Sequence, residues 1–221
     1  MALVWSYSSI KTFQQCPKKY FHLKVAKDVQ DTGSEATRYG NEVHKAADDY
    51  VQNDVPIPEK FAYMRGVLDA LKAIPGEKHC ELKLGMREDY SPCKFFDTGV
   101  WWRGIADLLI IDGDSAFSVD YKTSKNAKYA DTKQLDLVAT ALFAHFPQVN
   151  KIKSALLFVV SNEMVKKDHV RDNTAEYMKP FQFDLERLEQ ALDNNVWNAV
   201  SGPLCSWCPV TTCPNYKERR R

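Results

Sequence analysis

Two short apolar runs that carry charged side chains constrain the fold of this chain more than any other feature. The first run, residues 104–111, carries Asp107, the second carries Asp120 and Lys122, and an Asp-Gly-Asp sequence at 112–114 separates them. Runs of this length, rich in Ile, Val and aromatic residues and joined by a short turn, predict the two strands of a β-hairpin. Charges in such strands are costly to bury unless a partner or a metal ion offsets them.

The spacing of these charges indicates a hydrolytic site. Residues i and i+2 of a strand share a face, so Asp120 and Lys122 point the same way. Two carboxylates beside an ammonium group suit a divalent cation and a polarised water. The alternative is a pair of strand-end carboxylates in ordinary salt bridges, with Lys122 reaching solvent along its apolar stem.

Length and composition predict an ordinary globular protein. A chain of 221 residues fits one domain with a full core. No apolar run approaches the roughly 20 residues that span a bilayer, and the N-terminus lacks the layout of a signal peptide. We therefore expect a cytoplasmic protein of a bacterial, archaeal or phage-infected cell, in which the six cysteines are poor candidates for disulfides. The net charge of +1 creates no global field for nucleic acid.

The hydrophobic pattern predicts an α/β or α+β core with one mixed sheet. Helices are predicted at about 8–25, 37–51, 59–73, 131–146 and 183–200. Strands are predicted at about 78–87, 99–111, 116–122, 153–161 and 165–170.

The tail has three closely spaced cysteines, Cys205, Cys208 and Cys213. A metal site needs a fourth ligand, and Cys16 is the remaining cysteine that is followed by proline, as Cys208 and Cys213 are. Four thiolates suit tetrahedral zinc or a [4Fe–4S] cluster, and this spacing fits paired zinc knuckles poorly. The alternative is inert cysteines, which is how we interpret Cys80 and Cys93.

Several short motifs occur in a recognisable order. They are Phe-x-x-Cys-Pro-x-x-Tyr at 13–20, Gly-x-x-x-His at 40–44, Gly-x-x-Asp at 104–107, Asp-x-Lys at 120–122, Gln134 and the three C-terminal cysteines. Together they resemble the PD-(D/E)XK nucleases, specifically the RecB-like branch with a C-terminal iron–sulfur cluster. That branch includes the AddB nuclease domain, CRISPR-associated adaptation exonucleases and exonuclease V. One departure is Val138, which stands where the family usually has tyrosine.

The resemblance implies a restriction-endonuclease-like α/β core, with a mixed central sheet flanked by helices. It implies a single nuclease domain over 1–221, with an N-terminal helical part at 1–75, a sheet core at 76–172 and a C-terminal helix and tail at 173–221. An iron–sulfur cluster would join the N-terminal helices to the tail.

The resemblance also implies roles for individual residues. The implied ligands of a catalytic Mg²⁺ or Mn²⁺ are His44, Asp107, Asp120 and the Tyr121 carbonyl oxygen. The implied catalytic residues are Lys122, Asp107, Asp120, Glu81 and Gln134. The implied cluster ligands are Cys16, Cys205, Cys208 and Cys213. Candidate DNA contacts are Lys18, Lys19 and Lys125.

The function that follows is hydrolysis of DNA by a metal-dependent exonuclease acting on single-stranded ends, in DNA processing, recombination or degradation. Recombination, replication or CRISPR proteins are possible recruiting partners. Three alternatives stay open: a structure-selective or sequence-selective endonuclease on the same core, a non-catalytic DNA-end-binding iron–sulfur module, and a zinc-stapled scaffold.

Overall fold

The structure is a computed structural model that describes residues 3–31 and 33–217. Its α-helices are α1 (Tyr7–Gln15), α2 (Pro17–Tyr20), α3 (Glu35–Asn53), α4 (Arg65–Ala73), α5 (Lys133–His145) and α6 (Thr174–Asn194). Its strands are β1 (Glu77–Met86), β2 (Pro92–Cys93), β3 (Trp102–Asp112), β4 (Ser115–Lys122), β5 (Lys151–Phe158) and β6 (Glu163–Val170). Short 3-10 turns precede α4 and α6 and lie at Pro203–Trp207, and one π-helical turn follows α2.

Within the described residues, the strands form one six-stranded mixed sheet in the order β2-β1-β3-β4-β5-β6. The predicted hairpin is β3–β4, and it closes with a two-residue turn in which Gly113 has a φ of +58°. That backbone conformation favours glycine. β4 and β5 are parallel, joined through α5, and the neighbouring pairs are antiparallel. The predicted mixed α/β fold with one sheet is therefore confirmed.

Helices cover both faces of this sheet. Leu157 of β5 lies in the cluster that α3 and α4 form with β3 and β4. Leu156, the preceding residue, packs with Leu135 of α5. Adjacent residues of a strand point to opposite faces, so α3 and α4 lie on one side of the sheet and α5 lies on the other.

The first predicted helix, 8–25, is wrong in its start and its continuity. The helix begins earlier than predicted, with Ser6 as its N-cap, and Ser6 forms a capping box with Ser9. Cys16 has an extended backbone with a φ of −165°, which separates α1 from α2. Pro17 then occupies the first turn of α2, where its missing N–H is tolerated.

The last predicted helix, 183–200, is wrong at both ends. α6 begins at Thr174 and includes Pro180, a residue that usually interrupts a helix. It ends at Asn194 because Asn195 adopts a left-handed conformation with a φ of +51°. The sequence pattern also missed β2, which is only two residues long.

The described chain divides into two compact units. One contains residues up to 31 together with residues from 180, and the other contains residues 33–179. The predicted single domain over 1–221 stays a prediction, and its terminal residues 1–2 and 218–221 lie outside the described residues. Among the described residues, no helix is long and apolar enough to cross a membrane.

Candidate active site

The candidate site lies where β3 and β4 separate. Their pairing ends at Leu108 opposite Val119. Beyond this point the Tyr121 N–H donates to Asp107 Oδ2 at 2.8 Å, so a carboxylate takes the place of a ladder partner. Asp107 is only 8% exposed, and this bond compensates part of the cost of burying it.

Three residues from different elements converge beside this carboxylate. His44 of α3, Glu81 of β1 and Asp107 of β3 each offer a ligand atom, and these atoms lie within 4.8 Å of one another. Glu81 lies between the Cys80–Leu108 and Leu82–Ala106 pairs of the β1–β3 ladder and has a φ of +49°. A non-glycine residue adopts that conformation rarely, and such strain is typical of functional sites.

His44 connects α3 to the end of β4. Its Nε2 lies 3.0 Å from the Tyr121 carbonyl oxygen, and its Nδ1 lies 3.4 Å from Asp107 Oδ2. Burial lowers the pKa of His44, but the hydrogen bond and negative charge of Asp107 outweigh it and raise the pKa overall. The protonated ring can therefore donate to the same two oxygens that the resemblance assigns to a cation.

A second group, formed by Asp120, Lys122 and Gln134, completes the site. Lys122 Nζ lies 2.7 Å from Asp120 Oδ2 and donates to Gln134 Oε1 at 2.9 Å. The Gln134 amide in turn donates to Asp120 Oδ1. Gln134 lies in the first turn of α5, on the face of the sheet to which Asp120 and Lys122 point. The three side chains therefore form a closed polar ring at the end of β4.

The carboxylates of the site repel one another. Burial, followed by the charge of Asp107, raises the pKa of Asp120 from 3.8 to about 6 although Lys122 opposes the shift. Burial and the charge of Asp107 also raise the pKa of Glu81. Carboxylate and carbonyl oxygens with one imidazole nitrogen form a donor set that suits Mg²⁺ or Mn²⁺. A cation would relieve the repulsion, so the residues fit the metal that the sequence predicts.

The comparison with family models identifies the superfamily to which the chain belongs. The model of the PD-(D/E)XK nuclease superfamily matches residues 4–79 and 62–214. This chain belongs to that superfamily. The predicted superfamily of this nuclease is therefore confirmed. The predicted RecB-like branch stays a prediction.

One solved structure supports the fold. The nuclease is similar to an Eubacterium rectale protein that carries the name "putative exonuclease", with a TM-score of 0.55 and 11% identity. The similarity covers 98% of the nuclease and 88% of that chain. A weaker similarity, with a TM-score of 0.41 and 14% identity over 98% and 89% of the two chains, relates it to SSO0001. At 11% identity the likeness to the Eubacterium rectale protein concerns the fold alone. The search among curated proteins found no match.

The predicted cluster cysteines share one cavity but do not form a finished ligand set. Cys16, Cys205, Cys208 and Cys213 line a cavity of about 170 Å³. Two backbone amides point at sulfur atoms there, from Val200 to Cys16 at 3.5 Å and from Gly202 to Cys205 at 3.3 Å. Among the described residues, no three thiols lie within 4.8 Å of one another. Tetrahedral zinc would hold its sulfurs about 4 Å apart, so the site is not closed around a single ion.

The three lysines predicted to contact DNA lie in different surroundings. Lys18 and Lys19 are half-buried on α2, and Lys19 Nζ donates to Gln15 Oε1 at 3.3 Å. Lys125 is exposed in the segment between β4 and α5.

One acidic residue beside the site was missed by sequence reasoning. Asp48 lies one helical turn after His44 on α3, and its charge contributes to the raised pKa of Glu81. It also hydrogen-bonds Cys80, whose pKa burial raises to about 12 with a further contribution from Asp48. Residues i and i+4 share a helix face, so this spacing was a usable signal.

Proposed function

We propose that the nuclease hydrolyses DNA phosphodiester bonds in a reaction that depends on Mg²⁺ or Mn²⁺, and that it acts as an exonuclease on single-stranded ends. The observation that carries the proposal is the convergence of His44, Glu81 and Asp107 beside the Asp120–Lys122 ion pair. This convergence occurs in a chain that belongs to a nuclease superfamily.

The chain's own residues divide the work of the reaction. A divalent cation bound to the carboxylates and the imidazole would polarise the phosphate and acidify the attacking water. Lys122 donates hydrogen bonds to the phosphate oxygens, and its positive charge stabilises the negative charge that develops on them. Gln134 holds the Lys122 ammonium through the 2.9 Å bond to Oε1 and so restricts its orientation. Asp107 accepts the Tyr121 N–H and keeps the neighbouring carbonyl oxygen directed into the site.

The preference for single-stranded ends rests on the order of the motifs, which resembles the RecB-like branch. The name carried by the Eubacterium rectale protein agrees with an exonuclease, although that likeness concerns the fold. Recruitment by recombination, replication or CRISPR proteins belongs to the same proposal.

We also propose that the four cysteines hold a [4Fe–4S] cluster. They line one cavity, and amide N–H groups directed at sulfur are a common means of stabilising and tuning bound clusters. A four-iron cluster separates its thiolates further than a single ion does, so open spacing disfavours zinc more than it disfavours a cluster. The ligand set would form on loading, because metal binding and local folding are coupled.

The decisive experiment is digestion of labelled DNA by anaerobically purified protein. Single strands labelled at the 5′ or 3′ end, duplexes and single-stranded circles are incubated with Mn²⁺ or Mg²⁺, and Asp120→Ala is the matched control. We expect progressive shortening of linear single strands, intact circles and no hydrolysis by the variant.

Other results would overturn specific parts of the proposal. Cleavage of circles would establish an endonuclease. Binding of ends without hydrolysis would establish an end-binding module. Hydrolysis that is unchanged in Asp120→Ala would reject the site.

A further inference from the structure

On the N-terminal side of Asp107, residues 102–106 of β3 pair with residues 82–86 of β1 and form a two-stranded arm with an exposed face. The N-terminal half of β3 pairs with β1, down to Trp102 opposite Met86, whereas its pairing with β4 stops at Leu108. Asp107, Ile105 and Arg103 are alternate residues and share a face of this strand. On this face Ile105 is 40% exposed. This face of β3 therefore carries an exposed side chain between Asp107, a candidate metal ligand, and Arg103.

Both strands of the arm contribute positive charge to that face. Lys83 of β1 stands directly opposite Ile105 and is exposed. Arg103 lies one pleat further from Asp107, opposite Gly85. Two positively charged side chains, Lys83 and Arg103, therefore lie next to the carboxylates of the candidate site. Such charges would bind the phosphates of a DNA strand beside the proposed metal site.

Gly85 brings two aromatic rings onto the same face. A Cβ at this position would lie 2.7 Å from the Lys94 carbonyl oxygen and 2.8 Å from that of Cys93. The absence of a side chain therefore allows the segment after β2 to cross closely over the arm. The residues that follow, Phe95 and Phe96, lie beside Arg103, whose guanidinium carbon is 5.5 and 5.9 Å from their ring centroids.

Phe96 is unusually exposed for a phenylalanine. It remains 76% accessible although its ring contacts Phe95 edge-on, with centroids 4.9 Å apart. Phe95 and Arg103 contact the ring and leave most of its surface open. Exposed aromatic rings interleaved with cations are the features by which proteins bind single-stranded nucleic acid, through base stacking and phosphate contact.

We infer that Phe96, Arg103, Lys83 and Ile105 form a subsite for an unpaired nucleotide of the DNA strand that enters the active site. The base stacks on Phe96, and Arg103 and Lys83 contact the adjacent phosphates. The inference rests on the proposed function and deepens it, because a base can stack here only when it is not paired in a duplex.

The position of the subsite follows from strand geometry. Arg103 precedes Asp107 by four positions in β3, which is about 13 Å at 3.3 Å per residue. Stacked nucleotides rise about 3.4 Å each along a strand and unstacked ones more, so the base on Phe96 is two to four nucleotides from the bond that is cleaved.

Binding is measured in an Asp120→Ala background, so that the oligonucleotide stays intact. Fluorescence anisotropy with a labelled single strand of about ten nucleotides compares Phe96→Ala, Phe96→Leu and Phe96→Tyr. Loss of one stacked base should weaken binding about 5- to 150-fold in Phe96→Ala. Phe96→Leu keeps apolar bulk without a ring and should bind as weakly as Phe96→Ala. Phe96→Tyr should bind as tightly as the Asp120→Ala protein that keeps Phe96.

A matched control removes an aromatic ring of the same kind outside this arm. Phe183 of α6 is 69% exposed and has the Arg187 guanidinium carbon 5.5 Å from its ring. Phe183→Ala should leave single-strand affinity unchanged. Blunt duplex affinity should be unchanged in the Phe96 variants, and an equal loss for duplex and single strand would overturn base stacking.

Catalysis separates failure of the subsite from failure of the proposed function. In the otherwise native nuclease, Phe96→Ala should raise KM for a ten-nucleotide single strand and leave hydrolysis of a dinucleotide unaltered, because a dinucleotide does not reach Phe96. If the native protein hydrolyses neither substrate, the proposed function fails. If it hydrolyses the long strand and Phe96→Ala binds and cleaves that strand equally well, the subsite alone is rejected.

Discussion

At the scale of single residues, the Asp120 carboxylate shows how the site balances charge. Burial and Asp107 push its pKa up to about 6, while Lys122 Nζ at 2.7 Å stabilises the ionised form. His44 is held between Asp107 and the Tyr121 carbonyl with its own pKa raised. The metal-free site therefore retains protons where a bound cation would supply the compensating charge.

The first prediction concerns pH and metal binding. Between pH 3.8 and about 6 the folded metal-free protein holds a proton on Asp120 that the unfolded chain has released, so its stability falls as pH rises through this window. Mn²⁺ must displace that proton, so Asp120 alone should make the Mn²⁺ affinity rise about tenfold per pH unit below pH 6. The increase in Tm caused by Mn²⁺ should therefore grow from about pH 5 to about pH 7.

Thermal unfolding with and without Mn²⁺ across this range measures the effect. Asp120→Ala lacks the titrating carboxylate and should show a shallower pH dependence, with the remaining slope coming from Glu81 and His44. A metal-induced increase in Tm that does not vary with pH would contradict the assignment of these carboxylates as ligands.

The second prediction concerns Lys122. Removing the ammonium in Lys122→Ala takes away a donor that acts on charge developing at the phosphate, so kcat should fall about 10²- to 10³-fold with little change in KM. Single-turnover hydrolysis of a labelled strand measures it. Lys45→Ala, which removes an exposed lysine paired with Asp49 on α3, is the matched control and should retain activity. A large rise in KM with kcat unchanged would instead assign Lys122 to substrate binding.

At the scale of elements, β3 and α5 are held by interactions that position the site. A Cβ on Gly104 would lie 2.6 Å from the Trp102 ring, so the ring covers a place that only glycine leaves open. On α5, buried Asp136 accepts hydrogen bonds from Lys167 at 2.8 Å and from His169 at 2.9 Å. These bonds tie α5, and with it Gln134, to β6.

The third prediction concerns the packing of Trp102 on Gly104. Gly104→Ala should destabilise the protein by about 1–3 kcal/mol, because the new methyl group forces the buried indole to move. Trp102→Phe shortens the ring and should reduce the penalty when the two substitutions are combined. Urea unfolding of the four members of this double-mutant cycle measures the coupling free energy. Additive effects would show that Trp102 is not the group that requires glycine at 104.

At the scale of the whole molecule, one compact unit joins the two ends of the chain. Cys16 comes from its N-terminal segment, and the other three cysteines of the cavity come from the tail. Within this unit the Lys18 N–H also donates to the Asn198 carbonyl oxygen at 3.2 Å. A cluster in the cavity would therefore close almost the entire chain into one covalent ring.

The fourth prediction follows from that closure. Cys213→Ala should abolish the broad visible absorption expected of an iron–sulfur protein. It should also lower the free energy of unfolding by about 4–5 kcal/mol, if the loop is treated like one closed by a disulfide. Visible absorption, iron content and urea unfolding of anaerobically purified protein measure both effects. Cys80→Ala, outside the cavity, should keep the absorption, and a colourless native protein or a coloured, equally stable Cys213→Ala would contradict the cluster.

Local rules in the sequence predicted much of the framework. The alternation of apolar residues and the Asp-Gly-Asp turn predicted the β3–β4 hairpin, because strand period and turn chemistry act over a few residues. Local rules failed at two helices. Proline usually interrupts a helix, yet α6 continues through Pro180. The helical spacing around Cys16 predicted one continuous helix, yet the extended backbone of Cys16 ends α1. The order of the motifs indicated the superfamily, because that order can be read from the sequence without knowing where the residues lie in space.

Only the tertiary structure decided which of these residues meet. Asp120 is paired with Lys122 and Gln134, whereas Glu81 joins His44 and Asp107, because contact between elements far apart in sequence depends on register and packing. The placement of Phe96 beside Arg103 depends on Gly85 in the same way. The sequence by itself determined the hairpin and its charged residues. The distances between those charges and their partners arose only when the sheet and its helices packed together.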